Sequence, residues 1–402
     1  MLDKKNNFVS FCIFIVILIS FYFSFPYNLL AQSPPGSNEP VVIGALWDLS
    51  GPDARLGLCA LQAARQAVND INSQGGINGR PLKLYVADTA GLKKQLLAGA
   101  RVLLYQKHVL AILGPTHPEL ITILWNFCSI HQVPLILTCG DKDVFPLAGR
   151  SIYWVFSVSP PRSVIMKAIY KAITKQGFKR VGILVESTKK GEDASLWLKG
   201  YGLQYNIKLV GIKEFASTDT DMTPQLKSLL AQGAQVVICW IDPSRVGYVC
   251  QSAILTGATI ALPLCDFNKN IPFNLSELDM VSALPPILAP SLIDTNSSNY
   301  VPVSIFSTQV KINLEDVGPS GIMASGCAWD AINLFTKAAL NTNYLTRADI
   351  RESLQSFKEP YVGVMGTFLP YRQDHCGLEV SSLLAVHWYD GIWHKISSLT
   401  FE

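Results

Sequence analysis

Residues 41–88, VVIGALWDLSGPDARLGLCALQAARQAVNDINSQGGINGRPLKLYVAD, decide the fold class. Residues 41–46 form a continuous apolar run, the signature of a parallel strand covered on both faces, and Leu49-Ser50-Gly51-Pro52 breaks it. Leu61, Ala64, Val68 and Ile71 then recur at three- and four-residue steps, which predicts an amphipathic helix. Gly75-Gly76 stops that helix with the residue type suited to a left-handed cap. Asn78-Gly79 turns the chain, and Leu82, Leu84 and Val86 alternate toward Asp88 as a second strand. The stretch is therefore a βαβ unit whose strand ends face a common rim.

Upstream of it, Lys4 and Lys5 precede an apolar stretch at 8–25, then Pro26 and a cleavage point after Ala31. That outline predicts a signal peptide over 1–31 and an extracytoplasmic, periplasmic protein, with an uncleaved anchor as the alternative because the stretch nears the ~18-residue threshold for a span. The chain of 402 residues carries 33 Lys and Arg against 30 Asp and Glu, a balance that gives no reason to expect nucleic acid as a partner. So long a chain exceeds a single hydrophobic core and should divide in two. Cys239 and Cys265 each end an expected strand; they read either as a bridge or as two small buried thiols.

The alternation continues downstream. Helices are expected at 92–105 and 117–130 and strands at 109–113 and 134–137, the last running into Thr138-Cys139-Gly140-Asp141. After an apolar-aromatic segment at 152–158, a second series has helices at 163–176, 192–204, 222–231 and 244–255. Its strands are expected at 180–185, 207–212, 235–240 and 260–264. Two α/β sheets in tandem follow from this order. Residues 284–303 lapse into a Pro-, Ser- and Asn-rich stretch, helices return at 320–340 and 347–356, and the end reads as a β-meander over 363–368, 383–389 and 393–396 with an Asp390-Gly391 turn.

Enzymatic signatures are missing. No phosphate-binding GxGxxG or GxxxxGK[ST] occurs, no GxSxG nucleophile elbow, and the six histidines show no zinc spacing. His375 beside Cys376 reads as a satisfied turn histidine, because sequence neighbours in a loop rarely reach catalytic geometry. No catalytic residue, metal ligand or cofactor is assigned.

Ile43-Gly44, Leu49-Ser50-Gly51-Pro52, Gly57 and the run from Gly75 to Leu82 resemble the leucine/isoleucine/valine-binding protein family of ABC-transporter receptors. The resemblance extends through Leu113-Gly114-Pro115, Val133-Pro134-Leu135-Ile136, Trp329-Asp330-Ala331, Gly363 to Phe368, Asp374-His375 and Asp390 to Trp393. It implies a type I periplasmic binding fold: two α/β lobes, each a mainly parallel sheet flanked by helices, joined by three crossing segments near 153–158, 282–288 and 361–368. The lobes would comprise 40–156 with 289–360, and 157–284 with 364–402. The implied activity is non-enzymatic: a monomeric receptor holds an amino acid, amide or related solute in the cleft and presents it to membrane ABC permease subunits. A ligand-sensing module of the same fold, and less readily an α/β enzyme, are the alternatives.

Strand-end loops supply the candidate ligand contacts. Trp47 and Ser50 lie on the first loop; a tryptophan here is more often core than pocket wall, and its place at a strand end keeps it a candidate. Thr116 and His117 open the third helix, where Thr116 could instead cap it with Glu119. Amino-acid receptors commonly place a serine four residues after the glycine of this motif to receive the ligand carboxylate, and Pro118 stands here instead. Thr138, Cys139, Gly140 and Asp141 resemble the family's second contact loop. In the other lobe, Lys190 could meet an anion or be a solvated charge, Trp240 and Asp242 follow one strand, and Asp266 and Phe267 follow another. Either acid could partner a ligand ammonium or cap a turn.

Overall fold

The computed structural model describes residues 39–140, 153–263, 275–310 and 314–396. The expected signal segment, Asp141, Cys265, Asp266 and Phe267 lie outside these residues.

The opening stretch folds as read. Strand β1 (Val41–Trp47) is buried at every position but Val42. Helix α1 (Ala54–Ser73) ends just before Gly75 and Gly76, whose φ values of 98° and 70° turn the chain. Strand β2 (Leu82–Asp88) then pairs parallel with β1, Val41 opposite Leu82 and Trp47 opposite Asp88, so both strands finish at one edge. Helix α2 (Lys93–Tyr105) leads to β3 (Ile112–Leu113), which is shorter than the apolar run suggested. The helix expected at 117–130 begins as one 3-10 turn, Pro118–Leu120, before α3 (Ile121–Ile130), because proline is well suited to an opening turn. Strands β4 (Leu135–Leu137) and β5 (Val155–Ser157) complete a parallel five-stranded sheet of order β2-β1-β3-β4-β5.

The second series contains α4 (Arg162–Lys175), β6 (Arg180–Glu186), α5 (Lys189–Gln204), β7 (Lys208–Phe215), α6 (Thr223–Ala231), β8 (Val236–Trp240), α7 (Val246–Thr256) and β9 (Ile260–Pro263). Strand β10 (Met280–Leu284) follows where the sequence suggested only a crossing. Five residues, MVSAL, carry too little periodicity to announce a strand; all five are buried. Helix α8 (Tyr300–Gln309) was also not expected, since Pro302 and β-branched neighbours obscure it, yet a first-turn proline costs a helix nothing. Helix α9 (Leu314–Leu340) is interrupted at Gly318, with φ of 63°, and α10 (Arg347–Leu354) follows.

The expected strand at 363–368 is replaced by a small hairpin of β11 (Tyr361–Val362) and β12 (Thr367–Phe368), closed by Gly363 N–H donating to the Gly366 carbonyl at 2.9 Å. Strands β13 (Leu384–Tyr389) and β14 (Ile392–Lys395) form a second hairpin around Asp390 and Gly391, both at positive φ as a tight Asp-Gly turn requires. They extend the second sheet, whose order is β7-β6-β8-β9-β10-β13-β14. Its first five strands repeat the order of the first sheet, and only the last two pairings, β10 with β13 and β13 with β14, are antiparallel.

Packing decides where the late helices belong. Helix α1 buries a face of small residues, Gly57, Ala60, Ala63, Ala64 and Ala67, that lets α9 approach closely. Ser325 Oγ on α9 reaches the Cys59 carbonyl at 3.3 Å, and Arg347 Nε on α10 donates to the Val109 carbonyl at 3.0 Å. Both helices therefore lie against the first sheet, while β13 and β14 belong to the second. The chain between them is fastened by Asp330 of α9. Its carboxylate, fully buried, accepts the Tyr361 hydroxyl at 2.8 Å and the backbone N–H groups of Val364 and Met365 at 3.0 and 2.8 Å. Burial pushes this carboxyl up to about 7 despite three donors that favour the charged form. Asn299 adds a bond from Nδ2 to the Gly363 carbonyl at 2.9 Å.

Candidate functional site

Ligands of open α/β sheets sit outside the carboxyl ends of the parallel strands, and the first sheet's edge there is closed by a network of strand-end side chains. Asp48, directly after β1, is completely buried; its Oδ1 accepts Gly51 N–H at 2.6 Å and its Oδ2 accepts Asp53 N–H at 2.9 Å. Asp88, the last residue of β2, accepts the backbone N–H groups of Leu49 and Ala90, each at 2.8 Å, and the Ser50 hydroxyl at 2.5 Å. Burial raises the Asp88 carboxyl, but the bonds from Ser50, Leu49 and Ala90 outweigh it and leave the group below the ordinary carboxylate range.

Several expected contact residues take part in this closure. Trp47 is fully buried, and its indole N–H donates to Thr138 Oγ1 at 3.2 Å, so Trp47 is core and no pocket wall. Thr138 in turn donates to the Pro115 carbonyl at 3.3 Å. Thr116 does not cap the following helix: its Oγ1 accepts Asp48 N–H at 3.1 Å, and no side chain caps the turn at Pro118. A neighbouring strand end offered the nearer orphan donor. His117 is one-third exposed, with Nδ1 2.6 Å from Asp53 Oδ2 and Nε2 3.9 Å from Glu119 Oε2. Cys139 is half-buried and Gly140 exposed at the end of β4, so this loop is accessible at the same edge.

At the second sheet's edge, Glu186 ends β6. Its Oε1 accepts Asp242 N–H at 2.6 Å and its Oε2 accepts the Ser217 hydroxyl at 3.0 Å, tying three strand ends together. Asp242 takes the capping role, accepting Ser244 N–H at 3.0 Å and the Ser244 hydroxyl at 2.7 Å. Thr188 caps α5 through Gly191 N–H at 3.2 Å. Lys190 is exposed in that helix's first turn, and Trp240 is half-buried at the end of β8.

The residues missed by sequence reading are Asp48, Asp53 and Glu186. Each stands at a strand end or just beyond it, but Asp53 and His117 are 64 positions apart and only the β1–β3 pairing unites them. His375 is a buried structural residue, Nδ1 2.9 Å from the Val155 carbonyl and its ring stacked on Phe156 at 4.4 Å. Cys239 is a buried thiol that burial pushes well above its ordinary range. Among the described residues no group of His, Cys, Asp and Glu has metal-holding geometry, and no helix is long and apolar enough to cross a membrane.

Similar proteins agree with this architecture. An amino acid binding protein of Pseudomonas aeruginosa is 37% identical over 111 residues, covering 28% of this chain and 27% of its own length. A Leu/Ile/Val-binding protein homologue of Brucella suis is 22% identical over 219 residues, 52% of this chain and 54% of its own, so the chain spans about half or less of these relatives. An extracellular ligand-binding receptor from Rhodopseudomonas palustris superimposes with a TM-score of 0.70 at 21% identity, covering 90% of this chain and all of that one, and has the same fold. Residues 40–259, more than half of the chain, match the periplasmic binding protein family, and the chain belongs to it.

Proposed function

We propose that this protein is an extracytoplasmic solute receptor. It captures a small polar or amphipathic solute between two lobes and presents it to the permease of an ABC importer, acting as a monomer and returning its ligand unchanged. The lobes are 40–156 with 289–360 and 157–284 with 364–402, and the segment 1–31 directs export to the periplasm. The observation that carries this reading is the repeated strand order of the two sheets, each with its own closed carboxyl edge. Two such edges brought face to face make a cleft, and a solute that contacts both favours the closed arrangement by its differential contacts. Ser50, His117, Cys139 and Gly140 from one edge, and Lys190, Trp240 and Asp242 from the other, are the accessible described candidates. Asp141, Asp266 and Phe267, outside the described residues, are the remaining candidates.

Thermal-shift screening of the purified protein against amino acids, amides, aromatic acids and short peptides tests this. A true ligand at 100 times its dissociation constant adds ~2.7 kcal/mol to the folded state by mass action and raises Tm by several degrees. Failure of every small solute to stabilise the protein would overturn the receptor reading. Recovery of the stabilising solute chemically unchanged separates a receptor from an enzyme.

A further inference from the structure

The first sheet's edge says which end of a ligand it receives. Two of its side-chain hydroxyls have spent their proton, Ser50 on Asp88 and Thr138 on the Pro115 carbonyl, while Thr116 is buried and accepts from Asp48 N–H. Pro118 brings no N–H to the turn. The His117 Nδ1 position is held by Asp53 at 2.6 Å, a contact in which the nitrogen is the donor and the carboxylate the acceptor. In the neutral ring Nε2 then carries the lone pair. It lies 3.9 Å from Glu119 Oε2, too far for a mutual hydrogen bond and spaced so that one nitrogen could sit about 2.9 Å from both.

We propose, on the basis of the receptor reading above, that His117 Nε2 and Glu119 form an acceptor pair for an ammonium or primary amide nitrogen of the ligand. The surrounding charges suit a donor. Asp53 and Glu119 flank the ring directly, Asp48 holds the Asp53 backbone from the end of β1, and Asp88 stands one strand further on. Arg55, exposed in the first turn of α1, is the cation nearest to Asp53 along the chain. A carboxylate placed between these groups would meet like charge.

Three probes on one alkyl chain, 4-methylpentanamide, isopentylamine and 4-methylpentanoate, test the assignment by calorimetry. The amide or the amine should bind and the carboxylate should not. His117→Phe should weaken binding roughly 10-fold, and the exposed Glu119→Gln should weaken it about 3-fold with the fold intact. Tighter binding of the carboxylate, or unchanged affinity in both variants, overturns the proposal. Should other solutes stabilise the protein while amide and amine do not, the acceptor pair is wrong and the receptor reading stands; if no solute stabilises it, both fail.

Discussion

The two sheets share a strand order and a fastening device, and they differ in how far that device reaches. In the first, the carbonyl of Asp48 lies against Gly57 of α1, where a Cβ would come within 1.7 Å of it. In the second, the carbonyl of Glu186 lies against Gly191 of α5, where a Cβ would come within 2.0 Å. Each strand-end acid thus presses its backbone on the next helix and offers its carboxylate to a loop. Asp48 binds N–H groups three and five residues ahead, closing its own loop. Glu186 binds Ser217 and Asp242, 31 and 56 residues ahead, and so closes three strands together. The first edge is shaped by the local chain, whereas the second exists only once its sheet has assembled.

The largest effect should come from the shared contact. Gly57→Ala should cost about 4 kcal/mol in urea unfolding, because backbone cannot yield to a Cβ as a flexible side chain does. Gly191→Ala, with slightly more room and at the more exposed helix start, should cost about 3 kcal/mol. Neutral substitutions at both sites would show that the resemblance between the two edges is superficial.

Asp330 extends the comparison to the joint that links the two edges. Asp330→Ala leaves the Tyr361 hydroxyl and two backbone N–H groups without their acceptor and should cost about 3 kcal/mol. Its pH signature has a definite sign. The unfolded carboxyl titrates near 4, and burial lifts the folded one to about 7. Below the unfolded value both states hold the proton and the contribution is complete; as pH rises toward the folded value it is lost, by up to ~1.4 kcal/mol per pH unit. Urea midpoints from about pH 4 to about pH 7 should therefore fall more steeply for the wild type than for Asp330→Asn, which cannot titrate. Parallel slopes would mean that the folded carboxyl is charged throughout.

Local patterning explains which parts of this were legible. The unit from β1 to β2 announces itself because its strand is apolar, its helix periodic and its breaks marked by glycine. Strand β10 and helix α8 stay hidden because five apolar-to-small residues and a proline-bearing turn carry no period of their own; the β9 and β13 neighbours on either side of β10 make it a strand. At the site, residue type pointed to strand ends but could not assign roles. Trp47 and Thr138 are ligand-contact candidates on paper and become partners of each other in the core. The Asp53–His117 pair depends on β1 lying beside β3, a fact of topology that no spacing encodes. The common order of the two sheets is likewise a repeat of architecture without a repeat of residues.

The smallest expected effects separate the two edges most sharply. Asp48→Ala would strand the N–H groups of Gly51 and Asp53 beneath a fully buried residue, so about 2 kcal/mol should be lost. Glu186→Ala also removes two bonds, but at a partly exposed position where water can replace the carboxylate, and about 1 kcal/mol is expected. Their exchange signatures should differ as well. Asp48 acts within one loop, so its loss should accelerate amide exchange at residues 49–53 and move the Asp53 carboxylate away from His117, weakening any ligand held by the imidazole. Glu186 joins three strands, so its loss should spread smaller changes over residues 186, 217 and 242. Exchange confined to one loop in both variants would contradict the long-range role of Glu186 and leave the two edges alike.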